Sequence, residues 1–278
     1  MTDYLEHKTD LSNPNIASVF DELSFWSARF GILLFNHLEL RSKIKILDLA
    51  CGTGFPLFEL AHIFGRSCQV VGVDVWREAL VRTRLKSDIY KAPNVKVLNA
   101  DGIHLPFSST EFDLIISNLG INNFAEPEVV LTECFRVAKS DANIVLTTNP
   151  KGHMQEFYDV YRGTLQELNK IEYLKRLSLN EDHRGTKESI CNLLQISGFT
   201  ISKVVEDRFL LRFLDGSALF RHPLTKFGFL DGWRSLIDAQ EENEVFALVE
   251  QKLNDIAREQ GELKMTIPML YLEARKLK

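Results

Sequence analysis

Three carboxylates, Asp48, Asp74 and Asp101, each follow a short apolar run, and a turn of small residues stands directly after the first. The turn reads Ala50-Cys51-Gly52-Thr53-Gly54. Gly52 and Gly54 carry no Cβ, so a ligand can reach the backbone there. The helix expected from Pro56 opens with N–H groups that have no intrahelical partner. Such a turn can hold a phosphate, but an acid just before it opposes an anion. Asp48 favours instead a ligand with a cationic amino group beside hydrogen-bonding hydroxyls. Asp74 lies about 20 residues beyond the glycines, the spacing at which an α/β nucleotide fold sets a carboxylate opposite ribose hydroxyls. One carboxylate can accept from both hydroxyls, which selects an unphosphorylated ribose.

The segment Asp48-Leu49-Ala50-Cys51-Gly52-Thr53-Gly54 resembles the first motif of the class I S-adenosylmethionine-dependent methyltransferases, acid-x-Gly-x-Gly-x-Gly, with Ala50 at the first glycine position. Leu105-Pro106-Phe107 followed by Phe112-Asp113-Leu114-Ile115 is another recurrent phrase of that family. The resemblance covers residues 40–150 and the last strand, and its nearest style is the ubiquinone/menaquinone-biosynthesis-like branch acting on small molecules. It implies S-adenosyl-L-methionine as cofactor. Asp48, Ala50, Cys51, Gly52 and Gly54 are then expected at its methionine end, with Asn118 nearby. Asp74 is expected at the ribose, with Val75 and Trp76 following it. Asp101, Gly102 and Ile103 are expected at the adenine. Trp76 suits an adenine face and plain helix–sheet packing equally. Asp101 suits a cap as well.

A nicotinamide dehydrogenase is the rival for a glycine turn after a strand. Its Gly-x-Gly-x-x-Gly fingerprint does not occur at 50–55, and an acid at 48 would face pyrophosphate. A non-catalytic, methyltransferase-like binding or scaffold protein is the other alternative.

The chain has 278 residues, 45% hydrophobic and 26% charged, with a formal net charge of −5. That composition is ordinary for a soluble globular protein, and the charge argues against nucleic acid as the main partner. The four cysteines, Cys51, Cys68, Cys134 and Cys191, lack metal-ligand spacing, so no metal is expected. Cys51 reads as a small residue the turn needs rather than a nucleophile. No run is apolar enough to span a bilayer, so a cytoplasmic monomer or homodimer with a small-molecule methyl acceptor and no membrane partner is the expectation. A sulfonium methyl is already activated, so positioning in a dry pocket does most of the work. His153 and His222 are candidate bases, Asn122 and Asn123 candidate orienting groups, and the catalytic residue stays unknown.

These residues need a frame. Apolar runs at 44–49, 69–76, 95–102, 112–118 and 143–148 read as strands, and 56–64 and 126–137 as helices between them. Strand–helix alternation with short connections implies a parallel sheet with helices on both faces. The resemblance extends this to a Rossmann-like seven-stranded, mostly parallel sheet in a single domain over 1–278, its last strand antiparallel. Residues 1–40 read as an N-terminal helical lid, two helices broken near Leu23, with Phe25 and Trp26 as candidate pocket walls. Residues 41–150 form the cofactor-binding core. Segments 151–214 and 265–278 complete the sheet, with helices at 153–172 and 185–195. Pro268 in the last strand suggests an exposed edge or a bulge. Residues 215–264 form a helical insertion or cap, its aromatics being either a satellite core or a pocket lining. Its second half, 241–260, reads as an acidic amphipathic helix.

Overall fold

The computed structural model describes residues 2–20 and 24–277. In chain order the elements are α1 (Pro14–Phe20), α2 (Ser24–His37), β1 (Lys45–Leu49), α3 (Leu57–Phe64), β2 (Gln69–Asp74), α4 (Arg77–Tyr90), β3 (Val95–Asn99) and β4 (Phe112–Asn118). They continue as α5 (Pro127–Val137), β5 (Ala138–Thr148), α6 (Gln155–Glu167), α7 (Leu174–Asp182), α8 (Lys187–Ile196) and β6 (Thr200–Phe213). The last are α9 (Gly216–Arg221), α10 (Pro223–Gly228), α11 (Leu230–Arg234), α12 (Glu242–Gln260) and β7 (Leu263–Arg275). The expected break near Leu23 falls at 21–23, outside the described residues.

One seven-stranded sheet has the order β3-β2-β1-β4-β5-β7-β6. β1 pairs in parallel with β2 and β4, β2 with β3, and β4 with β5, whereas β7 runs antiparallel to β5. The chain order reverses between β1 and β4, so the carboxyl ends of those two strands flank the crevice where open α/β sheets place their ligands.

The chain folds as two compact bodies. One comprises residues 11–148, 185–207 and 269–278. Its core is built from the aliphatic strand residues, such as Leu47, Val71, Ile115 and Leu146, packed against Leu131, Cys134 and Leu194 of the helices. β1, β2 and β4 are buried along most of their length because helices cover both faces of a parallel sheet, whereas β3 and most of β6 are half-buried or exposed. The other body comprises residues 2–10, 149–184 and 208–268. Its centre is aromatic: the Phe157 and Trp233 rings stack at 3.8 Å, Tyr4 stacks on Phe220 at 4.6 Å, and Phe246 packs edge-on to Phe220. Phe220 and Trp233 of the 215–264 segment are 0% and 1% exposed, so those two rings fill a core rather than line a pocket.

Several boundaries differ from the sequence reading. β2 ends at Asp74 and β3 at Asn99, which leaves Trp76 and Asp101 in the following loops. The helix expected over 153–172 is shorter, and α7 follows it; the polar run of α7 gives little periodic signal. β7 lies between β5 and β6, so Pro268 is not on an edge strand. On its β5 side β7 pairs only over Leu270–Arg275, so Pro268 lies beyond that ladder. Among the described residues, no helix is long and apolar enough to cross a membrane.

Candidate functional site

The turn after β1 is held from three sides. The N–H groups of Ala50 and Cys51 both donate to the Val73 carbonyl of β2, at 2.8 and 3.1 Å. From α4, the Thr83 hydroxyl donates to the Gly52 carbonyl at 2.8 Å and Lys86 Nζ to the Thr53 carbonyl at 2.8 Å. Asp74 accepts from the Gly52 N–H at 2.7 Å through one oxygen and from the Trp76 N–H at 2.8 Å through the other. A carboxylate has about four lone-pair sites, so both Asp74 oxygens keep acceptor capacity.

The turn needs left-handed backbone at three positions. Gly52 has φ +51° and Gly54 φ +102°, and Ala50 takes φ +62° with a side chain. The departure of Ala50 from the glycine consensus therefore carries local strain. A Cβ on Gly54 would strike the Phe58 ring at 2.5 Å, so that glycine is fixed by packing. A Cβ on Gly52 would meet nothing within 4 Å: the space beside it is open. Cys51 is 1% exposed and its sulfur lies against Gly72, and burial raises its thiol well above the ordinary range. It is a packing residue held as the neutral thiol.

Asp48 differs from the other described acids of this body. It is 0% exposed, and neither carboxylate oxygen has a hydrogen-bond partner among the described residues. Burial, and then the charge of Asp74, push its affinity for a proton well above that of an ordinary aspartate. A buried carboxylate without a donor is costly unless a cation or donors from outside the chain satisfy it. Asp74 is also raised by burial, against the lowering effect of its backbone hydrogen bonds.

The remaining predicted residues divide. Asn118 ends β4 and is bound on both sides: its Oδ1 accepts from Thr147 at 2.6 Å and its Nδ2 donates to the Ser27 carbonyl of α2 at 3.4 Å. Beside it, Ser117 donates to the Leu49 carbonyl at 2.8 Å. α2 also presses on the turn, since a Cβ on Gly31 would overlap the Phe55 ring. The N-terminal helix therefore packs against the carboxyl end of β4 and against Phe55 just after the turn. Phe25 on it is 70% exposed, and Trp26 packs beside Phe30 at 5.3 Å. Trp76 donates through its indole N–H to the Leu11 carbonyl at 2.7 Å and meets Phe20 edge-on at 4.9 Å, tying down the segment before α2. Val75 is 62% exposed. Asp101 accepts the Ile103 N–H at 3.1 Å in its own loop, while Gly102 is buried against Val130 and Leu49.

His153 and His222 both belong to the other body. His153 is 2% exposed, and burial with the charge of Arg184 holds it in the neutral form. His222 caps α10, its Nδ1 accepting the Leu224 N–H at 3.2 Å. Thr83 and Lys86 escaped the sequence reading. Only a polar residue on the buried face of α4 hinted at Thr83, and nothing local pointed to Lys86.

The arrangement fits a ligand with an ammonium group and hydroxyls: a partnerless buried carboxylate, a second carboxylate with spare acceptor capacity, and open space beside a glycine backbone. Comparisons with known proteins identify the family and the fold. The family described as "Methyltransferase domain" matches residues 40–201. The demethylmenaquinone methyltransferase of Lactococcus lactis is 28% identical over 186 residues, covering 60% of this chain and 73% of that protein. The 2-phytyl-1,4-naphtoquinone methyltransferase of Nostoc sp. is 25% identical over 181 residues, covering 63% and 79%. The crystal structure of a SAM dependent methyltransferase from Aquifex aeolicus shares the fold, with a TM-score of 0.55, 20% identity, and 71% and 93% of the two chains covered.

Proposed function

This chain belongs to the class I S-adenosylmethionine-dependent methyltransferases, and we propose that its methyl acceptor is a small hydroxylated ring of the quinone type. The observation that carries the cofactor site is Asp48, a wholly buried carboxylate with no hydrogen-bond partner among the described residues. In this reading Asp48 holds the ammonium group of the methionine end. Gly52 leaves the backbone open to it, and Gly54 shapes the turn. Asp74 accepts from the ribose hydroxyls while keeping the Gly52 and Trp76 N–H groups. Asp101 accepts from the adenine amino group with its free oxygen. Ala50, Cys51, Val75, Gly102 and Ile103 line the backbone path, and Asn118 ties β4 to α2 so that the helix keeps water out.

When bound, S-adenosylmethionine supplies a methyl group already activated as an electrophile. The chain's own task is then orientation and exclusion of water. A reduced ring is activated at carbon by its own hydroxyl, so no strong base from the protein is needed. The relatives named for demethylmenaquinone and for 2-phytyl-1,4-naphtoquinone support a ring acceptor. The test is incubation with S-adenosylmethionine and a short-chain demethylated naphthoquinol, followed by mass spectrometry of the ring product. A methylated ring together with S-adenosylhomocysteine is expected. S-adenosylhomocysteine binding without any methylated ring would overturn the acceptor assignment and leave the cofactor site standing.

A further inference from the structure

The amino-acid end of the methyl donor carries a carboxylate as well as an ammonium group. Asp48 and Asp74 suit the ammonium and would repel a further anion. The turn itself can supply a donor for the carboxylate. Most of its N–H groups are already engaged: those of Ala50 and Cys51 on the Val73 carbonyl, that of Gly52 on Asp74, and that of Gly54 on the Cys51 carbonyl at 2.9 Å. The Thr53 N–H has no hydrogen-bond partner among the described residues. Thr53 is half-buried, so this N–H is both costly to leave unpaired and open to a ligand.

Its direction is set from α4. The peptide joining Gly52 to Thr53 is planar and trans, so its C=O and N–H point opposite ways. The Gly52 carbonyl accepts from the Thr83 hydroxyl at 2.8 Å, which turns the Thr53 N–H away from α4. Glycine lets an adjoining peptide rotate at little steric cost, so this bond is what fixes the plane. Thr83 is well placed to hold it. The residue is 0% exposed, and its hydroxyl also reaches the Ala79 carbonyl of its own helix at 3.0 Å. A Cβ on Gly54 would press on the Thr83 methyl at 3.3 Å, so the side chain is wedged against the turn. The next peptide is held differently. Lys86 Nζ donates to the Thr53 carbonyl, but the N–H of that peptide closes on Cys51.

We propose that Thr83 is a positioning residue of the cofactor site: its hydroxyl holds the Gly52–Thr53 peptide so that the Thr53 N–H meets the carboxylate of the methyl donor. This rests on the placement of the donor's amino-acid end at the turn, and the test separates the two.

Calorimetry of the full chain compares S-adenosylhomocysteine, its carboxamide, which lacks the anion, and methylthioadenosine, which lacks the whole amino-acid end. The natural chain should prefer S-adenosylhomocysteine to the carboxamide by about 5–10-fold. Thr83→Val keeps the shape and deletes the hydroxyl. It should weaken S-adenosylhomocysteine about tenfold, shrink the preference over the carboxamide to about twofold, and leave methylthioadenosine within about twofold. Thr83→Ser restores the hydroxyl and should recover S-adenosylhomocysteine binding to within about threefold of the natural chain. A Thr83 that only supports the fold would weaken all three ligands together, and that result overturns the proposal. So does a natural chain that binds S-adenosylhomocysteine and its carboxamide equally, a comparison that needs no variant to fold. Equal binding of S-adenosylhomocysteine and methylthioadenosine would instead remove the amino-acid end from this turn, and the proposal with it.

Discussion

Asp48 lends itself to a quantitative test of the cofactor site. Its carboxyl is wholly buried, and burial and Asp74 raise its proton affinity well above the ordinary value of 3.8. The cofactor-free protein therefore keeps this proton to a higher pH than an exposed aspartate does. An ammonium bound beside it favours the ionised form. Binding then releases one proton over a window that runs from the ordinary value up to the raised one. Within that window affinity climbs about tenfold per pH unit, or about 1.4 kcal/mol, and levels off above it. Calorimetry with S-adenosylhomocysteine between about pH 5 and about pH 8, in two buffers of different ionisation enthalpy, reads both the slope and the proton. Asp48→Asn keeps the shape and removes the charge. It should abolish slope and proton release and lower the plateau affinity by about 1.5–3 kcal/mol, roughly 10–150-fold. The folding linkage has a definite sign. With a raised folded-state value, Asp48's contribution to stability is complete below about 3.8 and is lost as pH rises through the raised value. Without cofactor, Asp48→Asn should therefore gain on the natural chain in urea melts as the pH is raised. An Asn variant with unchanged affinity at every pH would refute the ammonium assignment.

Three further outcomes follow from the same geometry. Ala50→Gly should stabilise the chain by about 1 kcal/mol or somewhat less in urea unfolding, because it removes a side chain from left-handed backbone against a smaller entropic cost. Gly52→Ala separates space from stability. Its Cβ meets nothing in the protein, so folding should lose only about 1 kcal/mol to the positive φ while S-adenosylhomocysteine affinity falls at least about tenfold; equal losses in both would remove Gly52 from the site. Trp76→Phe deletes the bond to the Leu11 carbonyl, which should cost about 0.5–1.5 kcal/mol and speed amide exchange over residues 11–20. Unchanged cofactor affinity in that variant would assign Trp76 to packing alone.

The parallel strands were legible because each is a short apolar run with a polar residue at or near its end, and β4 falls where its pattern ends, at Asn118. Asp48, Asp74 and the glycine turn were legible for the same reason: local spacing along the chain carries both the backbone geometry and the charge. The acidic helix α12 was legible from its amphipathic spacing. Strand ends at Asp74 and Asn99 were not, since a strand stops where its neighbour stops pairing. Whether Pro268 lies inside the β5 ladder depends on where β5 ends, not on any residue beside it. The same holds for the site's energetics. Sequence alone supplied a carboxylate before a turn. Only the packing of β1 beneath its neighbours leaves Asp48 without a hydrogen-bond partner among the described residues, and only α4 brings Thr83 and Lys86 onto the turn carbonyls. Burial and long-range hydrogen bonds belong to the assembled sheet and helices, so no window of the chain encodes them.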